Sequence, residues 1–177
     1  MRKYLFLSIF FLLLAGISEL PAQKIEIERR VDKEVLPDRM LDYLDRHYDD
    51  TRRTRYYLEQ NEEGKFYEAK FKYRRSRYSV KFRLDGSLYD VERQVKYKEL
   101  PEATKDHIEK ALADRLRRWR VVKVQERLEK GQVMGYEIEI KGKSSDHLGY
   151  FEAQFDREGR LQDLQTVEQR SNDFLFF

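Results

Sequence analysis

Strict alternation of apolar and polar residues marks two blocks of the chain. In the first, Tyr67, Ala69, Phe71 and Tyr73 alternate with Glu68, Lys70 and Lys72, and Tyr78, Val80, Phe82 and Leu84 alternate with Ser79, Lys81 and Arg83. In the second, Tyr136, Ile138 and Ile140 share one parity, as do Phe151, Ala153 and Phe155. A period of two predicts strands with one face buried and the other wet, as in an antiparallel sheet. Ahead of each block the period lengthens. Met40, Leu41, Leu44 and Tyr48 follow Pro37 at helical spacing, and Ile108, Ala111, Leu112, Arg115, Leu116 and Trp119 follow Pro101. A proline suits the first turn of a helix, where its missing N–H is no loss. The pattern predicts a helix from Pro37, then strands at 56–59, 67–73, 78–84 and 88–91. A second helix over 101–118 and strands at 121–128, 133–141, 148–155 and 161–167 follow.

The two blocks resemble each other. Ile27-Glu28-Arg29-Arg30-Val31 matches Val91-Glu92-Arg93-Gln94-Val95, and Leu36-Pro37 matches Leu100-Pro101 at the same offset along the chain. Phe82-x-x-Asp85-Gly86-x-Leu88-x-Asp90 matches Phe155-x-x-Glu158-Gly159-x-Leu161-x-Asp163 at a somewhat longer offset, as expected if loops lengthened in the second copy. Internal repetition with the same element order predicts an α+β fold of two tandem repeats, each a helical segment followed by a four-stranded antiparallel sheet. The boundaries fall at 23–98 and 99–177. On this layout and the F-x-x-[DE]-G-x-L-x-D motif, the chain resembles the PepSY-like proteins exported by gram-negative gut bacteria, whose units resemble the repeats of the beta-lactamase inhibitory protein. The resemblance implies a non-enzymatic, inhibitory or ligand-binding role in the envelope. Its motifs are turn and core positions, so it carries over no site residues.

Positions 1–22 read as a secretion signal: Arg2 and Lys3, an apolar run over 4–14, and small residues before a cut after Ala22. The apolar run is shorter than the roughly 20 residues that span a bilayer. Loss of Arg2, Lys3 and Glu19 would lower the net charge from +3 to +2. With no cysteine, the exported chain would need no disulfides, which suits a gram-negative periplasm. Charged residues make up 39% and nearly balance in sign, which argues against nucleic acid as the partner.

Catalytic chemistry is not evident. There is no cysteine nucleophile, and His47, His107 and His147 show no metal-ligand spacing, so neither metal nor cofactor is expected. Ser144-Ser145-Asp146-His147 places triad residue types side by side, whereas a triad is assembled from separate elements. One pattern stands out on the wet parity. Lys70, Lys72, Arg77, Lys81 and Arg83 make the first block mostly basic, and Glu137, Glu139 and Glu152 make the second mostly acidic. Two readings stay open: ordinary solubility, or a two-toned surface that docks a partner of complementary charge. The two charge fields could also face each other. Tyr73, if it stands beside these cations, would add an aromatic anchor. The apolar end, Phe174-Leu175-Phe176-Phe177, reads as a last strand segment, a docking peptide or the terminal Phe of a membrane barrel; a barrel lacks an apolar outer band and leaves no place for the helix after Pro101. The sequence thus predicts a periplasmic, non-enzymatic binding or inhibitory module that recognises a protein or a charged envelope polymer through its solvent-facing sheet surface. The alternative is a small-ligand carrier with a cleft between the repeats.

Overall fold

A computed structural model describes residues 23–24 and 27–167. The expected signal segment and the Phe-rich end lie outside the described residues. In chain order the elements are β1 (Gln23–Lys24), β2 (Ile27–Val31), α1 (Asp38–His47), β3 (Arg52–Asn61), β4 (Gly64–Tyr73), β5 (Ser76–Arg83), β6 (Leu88–Val95), α2 (Glu102–Ala113), β7 (Arg118–Glu129), β8 (Gln132–Lys143), β9 (Leu148–Asp156) and β10 (Leu161–Val167).

The strands form one sheet, in the order β1-β10-β9-β8-β7-β6-β5-β4-β3-β2. This corrects the expectation of two repeats, each with its own four-stranded sheet. Strands β2 to β10 are antiparallel to their neighbours, and only the two-residue β1 pairs in parallel. The join is the β6–β7 ladder, running from Glu92 opposite Arg127 to Val95 opposite Val124. Two separate sheets would leave β6 and β7 as open edges, with unpaired backbone groups; merging satisfies both. The same ladder occupies the place where a cleft between repeats was expected.

The sheet also curls until one segment touches both its edges. Gln23 and Lys24 pair with Thr166 and Val167 of β10, while Ile27 pairs with Gln60 of β3. Lys24 and Ile27 are three peptide steps apart, a reach of at most about 11 Å. The two sheet edges must therefore approach each other. Register shifts within the β3–β4, β5–β6, β7–β8 and β9–β10 ladders supply the bends, because a bulge increases local twist and coil.

Both helices pack on the same face of this sheet. Met40 and Leu44 of α1 meet Ala69, Phe71, Val80, Phe82 and Val91, and Ile108 and Leu112 of α2 meet Ile138, Ile140, Phe151, Ala153 and Phe155. Phe82 and Phe155, the two motif phenylalanines, are completely buried. The motif glycines set how closely each helix approaches the hairpin. A Cβ on Gly86 would meet Pro37, Arg39 and Met40 at 3.0 Å, and one on Gly159 would lie 2.5 Å from the Thr104 carbonyl oxygen. Both glycines also have positive φ, +77° and +85°.

The second helix is shorter than expected. It ends at Ala113, and Trp119 lies in β7 opposite Gly142, not on the helical stripe. Beyond Leu112, Leu116 turns into the core and the chain enters the β7–β8 ladder at Arg118. The Val121-Val122 pair that follows is better suited to a strand.

Candidate functional site

The face opposite the helices carries the charged parity of β4, β5, β8 and β9. On β4 and β5 the register sets Glu68 opposite Lys81, Lys70 opposite Ser79, Lys72 opposite Arg77 and Phe66 opposite Arg83. From β3 and β2 come Glu59, opposite Phe66, and Glu28, opposite Glu59. Neither described helix covers this face, yet Glu59 is 0% and Glu68 4% exposed. The curl of the sheet buries them, so the helix-free face is concave and its middle is an interior.

Buried charge is tolerated only when paired and hydrogen-bonded. Here it is. Lys81 Nζ lies 2.8 Å from Glu59 Oε1, and Asn61 Nδ2 donates to the same oxygen at 2.8 Å. Lys70 Nζ bridges Glu28 Oε1 at 2.5 Å and Glu68 Oε2 at 3.1 Å, while Ser79 Oγ donates to Glu68 Oε1. Burial works against the Lys70 ammonium, but Glu68 and Glu28 outweigh it and hold its pKa above the ordinary lysine value. Oxygens of Glu28, Glu59 and Glu68 converge within 4.8 Å of one another. In another setting three such carboxylates could hold a divalent cation; here the ammonium groups of Lys70 and Lys81 already bring positive charge to them.

The second block adds its own charges to the same face. Lys123 pairs with Glu139, and burial, which would lower its pKa, is outweighed by Glu139, Glu137 and Glu92. Gln125 Nε2 donates to Glu92 Oε2 at 2.5 Å. Burial raises the Glu92 carboxyl well above the usual range, and Glu137 and Asp90 raise it further, against Lys123 and Lys81. Glu92 on β6 thus feels Lys81 from the first block and Glu137 from the second. Basic and acidic fields meet across the concavity.

The predicted site residues divide accordingly. Lys70, Lys81 and Glu139 are held in the pairs described, and Glu137 stands beside Glu92 and Lys123. Lys72, Arg77 and Glu152 are partly buried on the same face. Glu152 lies opposite Glu139, and Arg77 bonds Gln94 at 3.4 Å. Arg83 is exposed at the mouth. Tyr73 lies on the opposite, helix-covered face, where its ring meets Tyr48 edge-on at 5.3 Å.

Four residues outside the predicted site complete the mouth. The Arg83 guanidinium stacks over Tyr89 at 5.0 Å, Tyr89 packs on Phe66 at 4.5 Å, and Tyr89 donates its hydroxyl to Glu63 at 2.5 Å. Leu88, whose carbonyl accepts from Arg83, is 38% exposed beside them. The register shift between Lys81 and Phe82 in the β5–β6 ladder brings Tyr89 to this face, and alternation alone gives no sign of it.

The other candidate chemistry resolves into local structure. His47 Nδ1 meets the Tyr43 carbonyl at 2.9 Å, and His107 Nδ1 meets that of Glu158 at 2.7 Å. Ser144 Oγ donates to Asp146 at 2.8 Å, and the His147 ring packs against Phe151, so the three side chains form a turn, not a proton relay.

No family model and no curated protein matches the sequence. Solved structures share its fold. A BLIP-like protein of Bacteroides fragilis aligns with 77% of this chain and 90% of its own at 14% identity and a TM-score of 0.55. A DUF2874 family protein of Bacteroides ovatus aligns with 73% of this chain and 86% of its own at 14% identity, TM-score 0.55. A protein of Bacteroides eggerthii described as periplasmic covers 77% and 93% at 15% identity, TM-score 0.56. The chain has the BLIP-like fold. The PepSY-like part of the resemblance finds no counterpart in these comparisons.

Proposed function

We propose that the chain is a periplasmic, non-enzymatic binding module that recognises a protein or a charged envelope polymer at the mouth of its concave sheet face. The observation that carries this reading is the Arg83–Tyr89–Phe66 stack. It is a rigid aromatic and guanidinium group at the exposed edge of a layer whose inner charges are already fixed by one another. Tyrosine and arginine dominate binding hot spots, because each offers large contact area with a polar tip. The inner ion pairs position this group and do not themselves meet a partner. The BLIP-like and periplasmic descriptions of the fold neighbours support the reading for this chain, as does the expected export signal.

The test is capture from an envelope extract of the source bacterium, using the chain from Gln23 onward as bait. Arg83→Glu and Tyr89→Ala should each lose a partner that the parent protein retains, and Arg157→Ala, at a distant turn, should keep it. Retention of the same partner by Arg83→Glu and Tyr89→Ala would reject the mouth as the recognition site.

A further inference from the structure

Three arginines in one corner of the molecule hold a backbone conformation that arginine disfavours. Arg74 and Arg75 are the two central residues of the β4–β5 hairpin, closed by Tyr73 opposite Ser76, and both have positive φ, 46° and 72°. Two positive φ values in a two-residue hairpin define a type I′ turn, for which Asn-Gly is the favoured sequence. The β7–β8 turn shows the usual solution, with Gly131 as its second residue. Arg53, with φ of 57°, sits in the register shift between Arg52 and Arg55 of the β3–β4 ladder. Left-handed backbone is costly for any residue with a Cβ, and nothing in hairpin geometry calls for arginine there.

These residues lie together. Arg52 is opposite Lys72, and Lys72 is opposite Arg77, so one corner of β3, β4 and β5 gathers Arg52, Arg53, Lys72, Arg74, Arg75 and Arg77. The acidic residues next to them in the chain are Asp49 and Asp50, and Asp50 lies 3.8 Å from Arg52. Arg52, Arg53, Arg74 and Arg75 are exposed, and the Arg74 guanidinium rests on the Tyr73 ring at 4.9 Å. Six cations here stand against a net charge of only +3 for the chain, so positive potential is concentrated at this corner.

We propose that this corner is a docking surface for the anionic face of a lipid bilayer. The turn is a projecting tip, so it cannot enclose a small anion. The cores of protein–protein interfaces are depleted in charge, whereas the exposed residues of this corner are charged and centre on no apolar group. Adsorption to acidic lipid works through clustered Lys and Arg alone, each contributing near the surface and all weakened by salt. The site is distinct from the Arg83 mouth, so a partner could be recognised while the protein rests on a membrane.

The experiment is flotation of the chain from Gln23 onward, which carries every described element, with vesicles of phosphatidylcholine mixed with the anionic lipid phosphatidylglycerol. Vesicles of phosphatidylcholine alone, and a salt series, run alongside. The parent protein should float with the acidic vesicles at low salt and not with the neutral ones. The double variant Arg74→Asn/Arg75→Gly places the favoured turn sequence at the tip. It should bind acidic vesicles about tenfold or more weakly, and melt a few degrees higher because the turn strain is relieved. Equal vesicle binding by parent and variant would overturn the proposal. So would failure of the parent to bind acidic vesicles while it binds soluble polyglutamate through the same arginines, which would mark the corner as a site for a soluble polyanion.

Discussion

Replacing Lys81 by methionine tests whether the helix-free face is an interior. The substitution keeps most of the side-chain volume and removes the ammonium that lies 2.8 Å from Glu59. Glu59 has no exposed surface, and the Lys81 side chain is 20% exposed. Removing one partner of a buried pair typically costs about 3–5 kcal/mol, because the remaining charge is left in a poor solvent. Asn61 still donates to the carboxylate and Lys81 is not fully enclosed, so the lower end, about 3 kcal/mol, applies. For a chain of this size that corresponds to a fall in Tm of roughly 6–12 °C. Adding Glu59→Gln should restore all but about 1 kcal/mol, since the double variant no longer buries an uncompensated charge. Denaturant unfolding at pH 7 of the parent, both single variants and the double variant gives the coupling energy directly. The exposed Arg39–Asp85 pair, at 3.7 Å, is the control: Arg39→Ala should leave stability unchanged. A cost of Lys81→Met below about 1 kcal/mol, the value of a surface pair, would refute the reasoning and return this face to solvent.

Three further outcomes follow from the same structure. Glu92 has a raised pKa in the folded state through burial, Glu137 and Asp90, so the fold binds an extra proton there. Its contribution is fully present below the unfolded carboxyl pKa and is lost as pH rises through the folded one; Glu92→Gln should therefore stabilise the protein in neutral buffer, do nothing near pH 4, and flatten the pH profile of stability measured by denaturant. Phe155→Ala removes a fully buried ring from the α2 side of the core and should cost about 3–5 kcal/mol in the same assay. Gly159→Ala places a methyl 2.5 Å from the Thr104 carbonyl oxygen at a φ of +85°, and should cost about 2–3 kcal/mol, read as a drop in Tm.

How much of this was legible in the sequence follows from what periodicity encodes. Alternation in 67–73 and 78–84 reports which side chains share a face, and it placed Ala69, Phe71, Val80 and Phe82 together in the core as the structure does. It does not report whether the other face meets water. Lys81 and Lys70 read as wet because lysine is rarely buried unless paired, and their partners, Glu59 and Glu28, come from strands remote in sequence. The resemblance between Ile27–Val31 and Val91–Val95 was visible, but its consequence was not: β6 pairs with β7 across the join, while β2 lies at the opposite edge. Pairing partners of edge strands are set by tertiary closure, which no local pattern carries. Trp119 followed the helical stripe by spacing, yet the chain leaves the helix at Ala113 because the β7–β8 ladder claims it. At the mouth, Tyr89 reaches Arg83 only through a register shift, a feature that a strict period of two cannot show.

If the charged face of the sheet is enclosed, side chains at its middle are shielded from reagents in solution. The chain has no cysteine, so a single engineered thiol reports accessibility without background. Ser79→Cys is nearly isosteric and sits in the middle of that face, where Ser79 is 9% exposed; Ser145→Cys, in an exposed loop, sets the reference rate. Under native conditions the thiol at position 79 should react with a thiol reagent about a hundredfold or more slowly than that at 145, and the two should converge in denaturant, because reaction then requires opening of the sheet. Equal rates in the native protein would show an open, wet face and contradict the account.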